Sequence, residues 1–127
     1  MMNEYVTAAA NYLIDNGITL YCDKYNFSIC VPEERVVVAT LWANSRSLTG
    51  SHPLTMVRLD RYFGRDGDDL FQEVVFDLFE PDSLDALLEH VIMSINGYKL
   101  WLKYKLDSGV DTTPPTPESY FGYKYEC

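Results

Sequence analysis

The sequence predicts an α+β fold: one domain with a mainly antiparallel sheet of five or six strands and two helices packed on one face. Composition supports a single compact domain, since 47% of the 127 residues are hydrophobic and 23% are charged. Short β-type runs follow one another through the middle of the chain, and two segments have apolar residues at helical spacing. The domain is expected over residues 1–107, followed by a tail over 108–127.

The first helix is predicted over residues 3–16. Val6, Ala9 and Leu13 recur at helical spacing, and Gly17 is placed to end the helix.

Five strands are then predicted, over residues 19–24, 27–31, 36–42, 54–63 and 70–79, with polar turns between them. The third run is apolar at both odd and even positions. It should therefore be a central strand that is covered on both faces.

The second helix is predicted over residues 82–96, because Leu84, Leu87, Leu88, Val91, Ile92 and Ile95 form one apolar stripe. Asn96 and Gly97 favour its end at that point. Residues 98–106 alternate between apolar and mainly basic side chains, which favours a sixth strand at the sheet edge, where outward lysines discourage pairing with other chains. A continued helix is the competing interpretation.

The C-terminal residues 108–127 combine a proline-rich connection with an aromatic end. Prolines at 114, 115 and 117 exclude helix and sheet ladder, and four aromatic residues lie between Tyr120 and Tyr125. Such an end is expected to dock rather than remain solvated, although the proline run could alternatively be a polyproline ligand.

The charge distribution is the strongest functional signal. The chain has 10 basic and 19 acidic residues, a net charge of −9, and nine of the acids lie between residues 66 and 89, a segment without Lys or Arg. We call this the acidic segment. Direct binding to nucleic acid or to an anionic membrane is disfavoured, because both need a basic surface. A basic protein is the expected partner, and a homodimer is also possible.

Two interpretations of the acidic segment compete. In one, its acids cap the second helix and solvate a turn, and Arg58, Arg61 and Arg65 neutralise the remainder. In the other, acids mixed with large aromatics form a protein-binding surface. We favour the second, with these candidate partner-binding residues: Asp66, Asp68, Asp69, Glu73, Asp77, Glu80, Asp82, Asp85, Glu89, Phe71, Phe79, Tyr62 and Trp101.

Motifs for catalysis, cofactors or metals do not stand out. His52 and His90 lack a metal-ligating partner at helical spacing, and the acids near Asp66 lack the spacing of a calcium loop. Three cysteines without a predicted export signal favour reduced thiols and a cytoplasmic location, with Cys22 and Cys30 facing each other across a hairpin.

The predicted function is therefore a small acidic inhibitor that occupies the basic surface of a nucleic-acid-handling enzyme, either as a nucleic-acid mimic or through a separate regulatory surface. Phage proteins that block host defence enzymes, such as anti-CRISPR proteins, and immunity proteins against nuclease toxins have this general character. The alternative is an acidic homodimeric secretion-type chaperone or adaptor. A small enzyme ranks third.

Overall fold

The computed structural model describes residues 4–22, 26–31, 36–43, 56–67 and 71–109. They form seven elements: helix α1 Glu4–Asp15, strands β1 Thr19–Cys22, β2 Asn26–Val31, β3 Val36–Ala43, β4 Met56–Arg61 and β5 Gln72–Asp77, and helix α2 Ser83–Ser108. The predicted α+β class is confirmed. The predicted tail and His52 lie outside the described residues.

The five strands form one antiparallel meander in the order β1-β2-β3-β4-β5. The apolar strand β3 is central, as predicted, and its residues 36–41 are buried. A β-bulge lies between Ile29 and Cys30, where the pairing passes from Ala39 to Val37. Because directly opposed residues of antiparallel strands share a face, the register assigns every paired residue to one of two faces.

The hydrophobic core joins both helices to one set of strand positions. Val6 and Leu13 of α1 and Leu87 and Val91 of α2 belong to one buried cluster with Leu41, Leu59, Val57, Ile29 and Phe76 of the strands. We call the strand positions of this cluster the core face. Packing of both helices on this face alone stays a prediction.

Two predictions about the chain after residue 96 are wrong: α2 continues to Ser108, and residues 98–106 are helical rather than a sixth strand. The buried positions Leu87, Val91, Ser94, Tyr98 and Trp101 recur every three or four residues, so the helical period continues through the supposed stop. Period-two alternation of residue types misled the prediction, because burial does not follow it: Trp101 on the supposed outer side is buried, whereas Leu100, Tyr104 and Leu106 on the supposed inner side are exposed.

Gly97 lies inside α2 because the helix passes close to the chain after β4. A Cβ atom at this position would lie 2.0 Å from the carbonyl oxygen of Gly64. Only glycine permits that approach. The helix instead ends at Gly109, whose left-handed backbone (φ 71°) lets its N–H donate to the carbonyls of Leu106 and Lys105.

The cysteines differ from their prediction. Cys22 is opposite Phe27 and Cys30 is opposite Thr19, so the two side chains do not face each other. Cys30 is a free, buried thiol. Cys22 is disulfide-bonded, so the expectation of reduced thiols is wrong for this residue.

Neither described helix is long and apolar enough to cross a membrane.

Candidate functional site

The acidic segment extends along the chain from the residues after β4, through β5, to the second turn of α2. Asp66, Glu80, Asp82, Asp85 and Glu89 are exposed, and Glu73 and Asp77 are half-buried. Asp68 and Asp69 lie outside the described residues. Strand β5, at the end of the strand order, separates Asp66 from the group that begins at Glu80.

Glu73 and Asp77 lie on the sheet face opposite the core face, which we call the second face. The register places Glu73 opposite Asp60 and Asp77 opposite Met56, whereas Val74 and Phe76 between them pack with the core. Asp77 also has a local structural role, because its Oδ1 accepts a hydrogen bond of 3.0 Å from the Phe79 N–H. One of the nine acids is therefore in part a turn residue.

The start of α2 collects three of the exposed acids. Asp82 has a left-handed backbone (φ 65°), its side chain makes no capping hydrogen bond, and its carbonyl accepts the Ala86 N–H at 3.0 Å. The side-chain cap that the first interpretation needs at the start of α2 is therefore not formed by Asp82. Asp85, in the first turn, still faces the positive end of the helix dipole.

A pocket of about 250 Å³ opens beside this helix start and is lined by Tyr12, Leu78, Glu80, Asp82, Ser83, Leu84 and Asp85. The Tyr12 hydroxyl donates a hydrogen bond to Oδ1 of Asp85, which links α1 to α2. This hydrogen bond to a carboxylate raises the pKa of Tyr12 above its ordinary value. The lining of the pocket therefore includes both apolar and acidic side chains.

Within the described residues, the three arginines that the first interpretation assigns to the acidic segment contact other groups. Arg58 forms an ion pair with Asp60, outside the segment, with Nε 3.0 Å from Oδ1. Arg61 bonds to neutral groups, and Arg65 contacts the sulfur of Met93. These contacts argue against the first interpretation, in which the arginines neutralise the acidic segment.

Arg61 is the centre of a buried polar cluster that the sequence analysis missed. The guanidinium donates to Ser94 Oγ at 2.8 Å, to Gln72 Oε1 and to His90 Nδ1 at 3.2 Å each, and to the Phe63 carbonyl at 3.3 Å. These bonds join β4 to β5 and α2. The sequence contained one indication of this cluster. Arg61 continues the alternation of Val57, Leu59 and Phe63, so its side chain is expected on the buried side of β4.

His90 is consequently held as a neutral acceptor. Burial lowers its pKa, and the nearby Arg61 charge lowers it further, against an opposing effect of Glu89. Because Arg61 can only donate, Nδ1 accepts and the proton of the neutral ring resides on Nε2. The ring also packs edge-on to Phe76, with centroids 5.4 Å apart. His90 is therefore a structural residue between α2 and the sheet.

The aromatic candidates divide into exposed and buried groups. Phe71 and Phe79 are 60% and 75% exposed, and Tyr62 is half-buried against the ring of Phe71. Trp101 was expected to be an exposed anchor, but it is only 4% exposed and packs against Phe63 and Tyr98. This residue belongs to the core, because it continues the buried stripe of α2.

Within the described ranges, no group of three or more His, Cys, Asp and Glu side chains is arranged to hold a metal ion. Comparison of the chain with protein-family models, with curated proteins and with solved structures finds no match. The geometry of the acidic, aromatic surface is therefore the basis for proposing a function.

Proposed function

We propose that this protein is a small acidic inhibitor that binds a nucleic-acid-handling enzyme and covers its basic surface. The observation that carries the proposal is the exposure of the acidic segment: five of its described acids are exposed, and the described contacts of Arg58, Arg61 and Arg65 are with other groups. A concentrated negative surface accelerates association with a basic target and competes there with phosphate groups.

Charge alone gives little affinity at an exposed surface, so apolar anchors are needed as well. Phe79 is the best anchor, because it is 75% exposed and directly precedes Glu80 and the acids at the start of α2. The Phe79 ring contacts the Tyr5 ring edge-on, with centroids 6.4 Å apart, and this contact restricts the position of Phe79. An aromatic ring flanked by carboxylates suits a basic groove that also has an apolar floor.

Phe71 extends the same surface along β5. It is 60% exposed and packs against Tyr62 with ring centroids 5.9 Å apart. A stable complex needs about 800 Å² of contact on each partner. A surface that extends from Phe71 along β5 to Asp85 is large enough for such a contact area, since six strand residues alone span about 20 Å.

The test compares two variants with the same change of charge. The first, E80Q/D82N/D85N, neutralises three acids at the start of α2. The control, E4Q/D15N/D107N, neutralises three exposed acids outside the acidic segment. Both raise the net charge from −9 to −6 by removing three negative charges.

Each protein is immobilised and used for capture from a cell lysate at low and high salt. Any captured nucleic-acid-binding enzyme is then purified, and its affinity for DNA or RNA is measured with the wild type or a variant added. The wild type and the control should reduce nucleic-acid binding, whereas E80Q/D82N/D85N should not, and high salt should weaken all effects through screening.

Equal inhibition by both variants would show that the acidic segment does not bind the target. Retention of unfolded polypeptides by both variants would instead support the chaperone alternative. A further variant, F79S, tests the anchor: it should weaken inhibition at every salt concentration, because an apolar contact is not screened.

A further inference from the structure

Helix α2 carries a second stripe of side chains beside the one that faces the core. The core-facing stripe contains the buried residues Leu87, Val91, Ser94, Tyr98 and Trp101. The second stripe, which we call the outer stripe, is displaced by one residue and contains Leu88, Ile92, Ile95, Lys99, Leu102 and Leu106. All of its members except Lys99 are apolar, and their spacing alternates between four and three residues. This spacing is typical of a helix that packs lengthwise against another helix.

The domain itself covers the outer stripe only in part. Ile92 is 42% exposed and Leu106 is 63% exposed. Leu88, Ile95 and Leu102 are half-buried and pack against the core. Exposed apolar side chains at helical spacing indicate a surface that another molecule covers.

The charges along this face are divided between the two halves of α2. Asp85 and Glu89 lie in the first half, Lys99 and Lys103 lie in the second half, and all four are exposed. Within each half the like charges are four residues apart, which is unfavourable in a single helix. The face as a whole is charge-balanced, so it complements a reversed copy of itself better than a uniformly basic protein.

We propose that the protein forms a homodimer through the outer stripe, with the α2 helices of two copies packed antiparallel about a two-fold axis. The axis lies midway between Leu88 and Leu106 along the helix. Leu88 then lies opposite Leu106 of the second copy, and Ile92 lies opposite Leu102. Two-fold symmetry repeats each of these contacts, as in any self-complementary interface. The inference does not depend on the proposed function.

The antiparallel direction also brings unlike charges together. Glu89 directly follows Leu88, and Lys103 directly follows Leu102, so both occupy the same edge of the outer stripe. In an antiparallel pair, Glu89 at this edge faces Lys103 of the second copy. Residues at the edges of such a helix pair form the ion pairs that select its orientation.

Lys99 favours the same direction. A parallel pair would place the two Lys99 side chains opposite each other, whereas the antiparallel pair places Lys99 opposite Ile95 of the second copy. A single lysine within an apolar stripe specifies the arrangement of the helices at a cost in stability.

The interface is small. The outer stripe is about 27 Å long at 1.5 Å per residue, and a helix is about 10 Å wide. Contacts on this scale belong with interfaces below about 1,200 Å², which form weak, reversible complexes. The dimer should therefore be in equilibrium with the monomer.

Sedimentation equilibrium of the purified full-length protein, from about 1 μM to 1 mM, measures the dissociation constant of the dimer. The wild type should pass from monomer to dimer within this range. E89K and K103E should each weaken the dimer about tenfold or more, because two attractive pairs become repulsive. The combined variant E89K/K103E exchanges the two charges and should restore the wild-type dissociation constant.

The apolar contacts are tested by I92S, with V75S as the matched control. Val75 is 48% exposed, close to the 42% of Ile92, but it lies on β5 rather than on α2. I92S should abolish the dimer, whereas V75S should leave the dissociation constant unchanged. Circular dichroism checks that each variant is folded. If I92S fails to fold, the charge exchange still decides, because substitutions at exposed positions rarely affect folding.

A wild-type protein that stays monomeric at the highest concentration would overturn the proposal. So would a dimer that folded I92S leaves intact, or one that V75S weakens equally. Failure of E89K/K103E to restore the dimer would overturn the antiparallel pairing of Glu89 with Lys103. These measurements contain no target enzyme, so a failure here is separate from a failure of the proposed inhibitory function.

Discussion

Replacement of Gly97 by alanine tests the closest helix–chain contact in the structure. On helix propensity alone, G97A should stabilise the protein by about 1 kcal/mol, since Gly97 lies inside α2. The tertiary structure predicts the opposite. The new Cβ would lie 2.0 Å from the Gly64 oxygen and 3.0 Å from its carbonyl carbon.

The magnitude follows from that overlap. Carbon and oxygen normally approach no closer than about 3.3 Å, so α2 and the Gly64 backbone must separate by about 1.3 Å. The shift would loosen Phe63, which packs against Tyr98 and Trp101 with centroids 5.3 and 5.5 Å apart. Overpacking costs about 3 kcal/mol when backbone must move. After the propensity gain of about 1 kcal/mol, the net loss should be about 2 kcal/mol.

Urea denaturation followed by circular dichroism measures the free energy of unfolding directly. The matched control is N96A, at the exposed neighbouring position of the same helix. It gains helix propensity of about 0.5 kcal/mol without a steric clash, so it should be slightly more stable than the wild type. A G97A protein as stable as N96A would refute the close approach of α2 to Gly64.

Three further predictions concern the polar contacts. The lowered pKa of His90 means that the unfolded chain binds this proton first, so the contribution of His90 to stability should be fully present above its ordinary pKa of 6.5 and decrease as the pH falls below it. Urea titrations across that range should show a smaller fall for H90Q; equal falls would exclude His90 as the cause. R61K keeps the charge but cannot reproduce the four-fold bonding of Arg61, so denaturation should show a loss of about 2 kcal/mol, and wild-type stability would contradict the cluster. In D85N, the pKa of Tyr12 should fall toward its ordinary value, as followed by NMR of the tyrosine ring carbons; an unchanged titration would exclude the Asp85 contact as its cause.

The strands show how far local patterns reach. Each of the five predicted strands is present, and β3 is central, because a run such as residues 36–42, with apolar residues at both odd and even positions, is favoured where both faces of the sheet are covered. Prediction from a local pattern failed for residues 98–106, where alternation favoured a strand. Tyr98, Leu100 and Leu102 suit either a strand or a helix over so short a window, and the choice depends on contacts with Phe63 and Gly64 that are distant in sequence.

The candidate site shows a similar division. The density of acids between residues 66 and 89 is a property of the sequence, and so is the presence of aromatics among them. The sequence does not show which of these aromatics is available to a partner. Phe79 is exposed and Trp101 is buried, although both were expected to be anchors. The partners of the arginines were also not predictable: the first interpretation paired them with the acidic segment, but strand register and the position of α2 determine which groups each guanidinium contacts.

By itself, the sequence determined the order of helices and strands through residue 95, the central position of β3 and the concentration of negative charge. These properties follow from composition and periodicity, which act over a few neighbouring residues. Only the tertiary structure decided the length of α2, the cluster around Arg61 and the burial of Trp101. Each of these depends on groups far apart in the chain, whose distances are set by packing rather than by local preference.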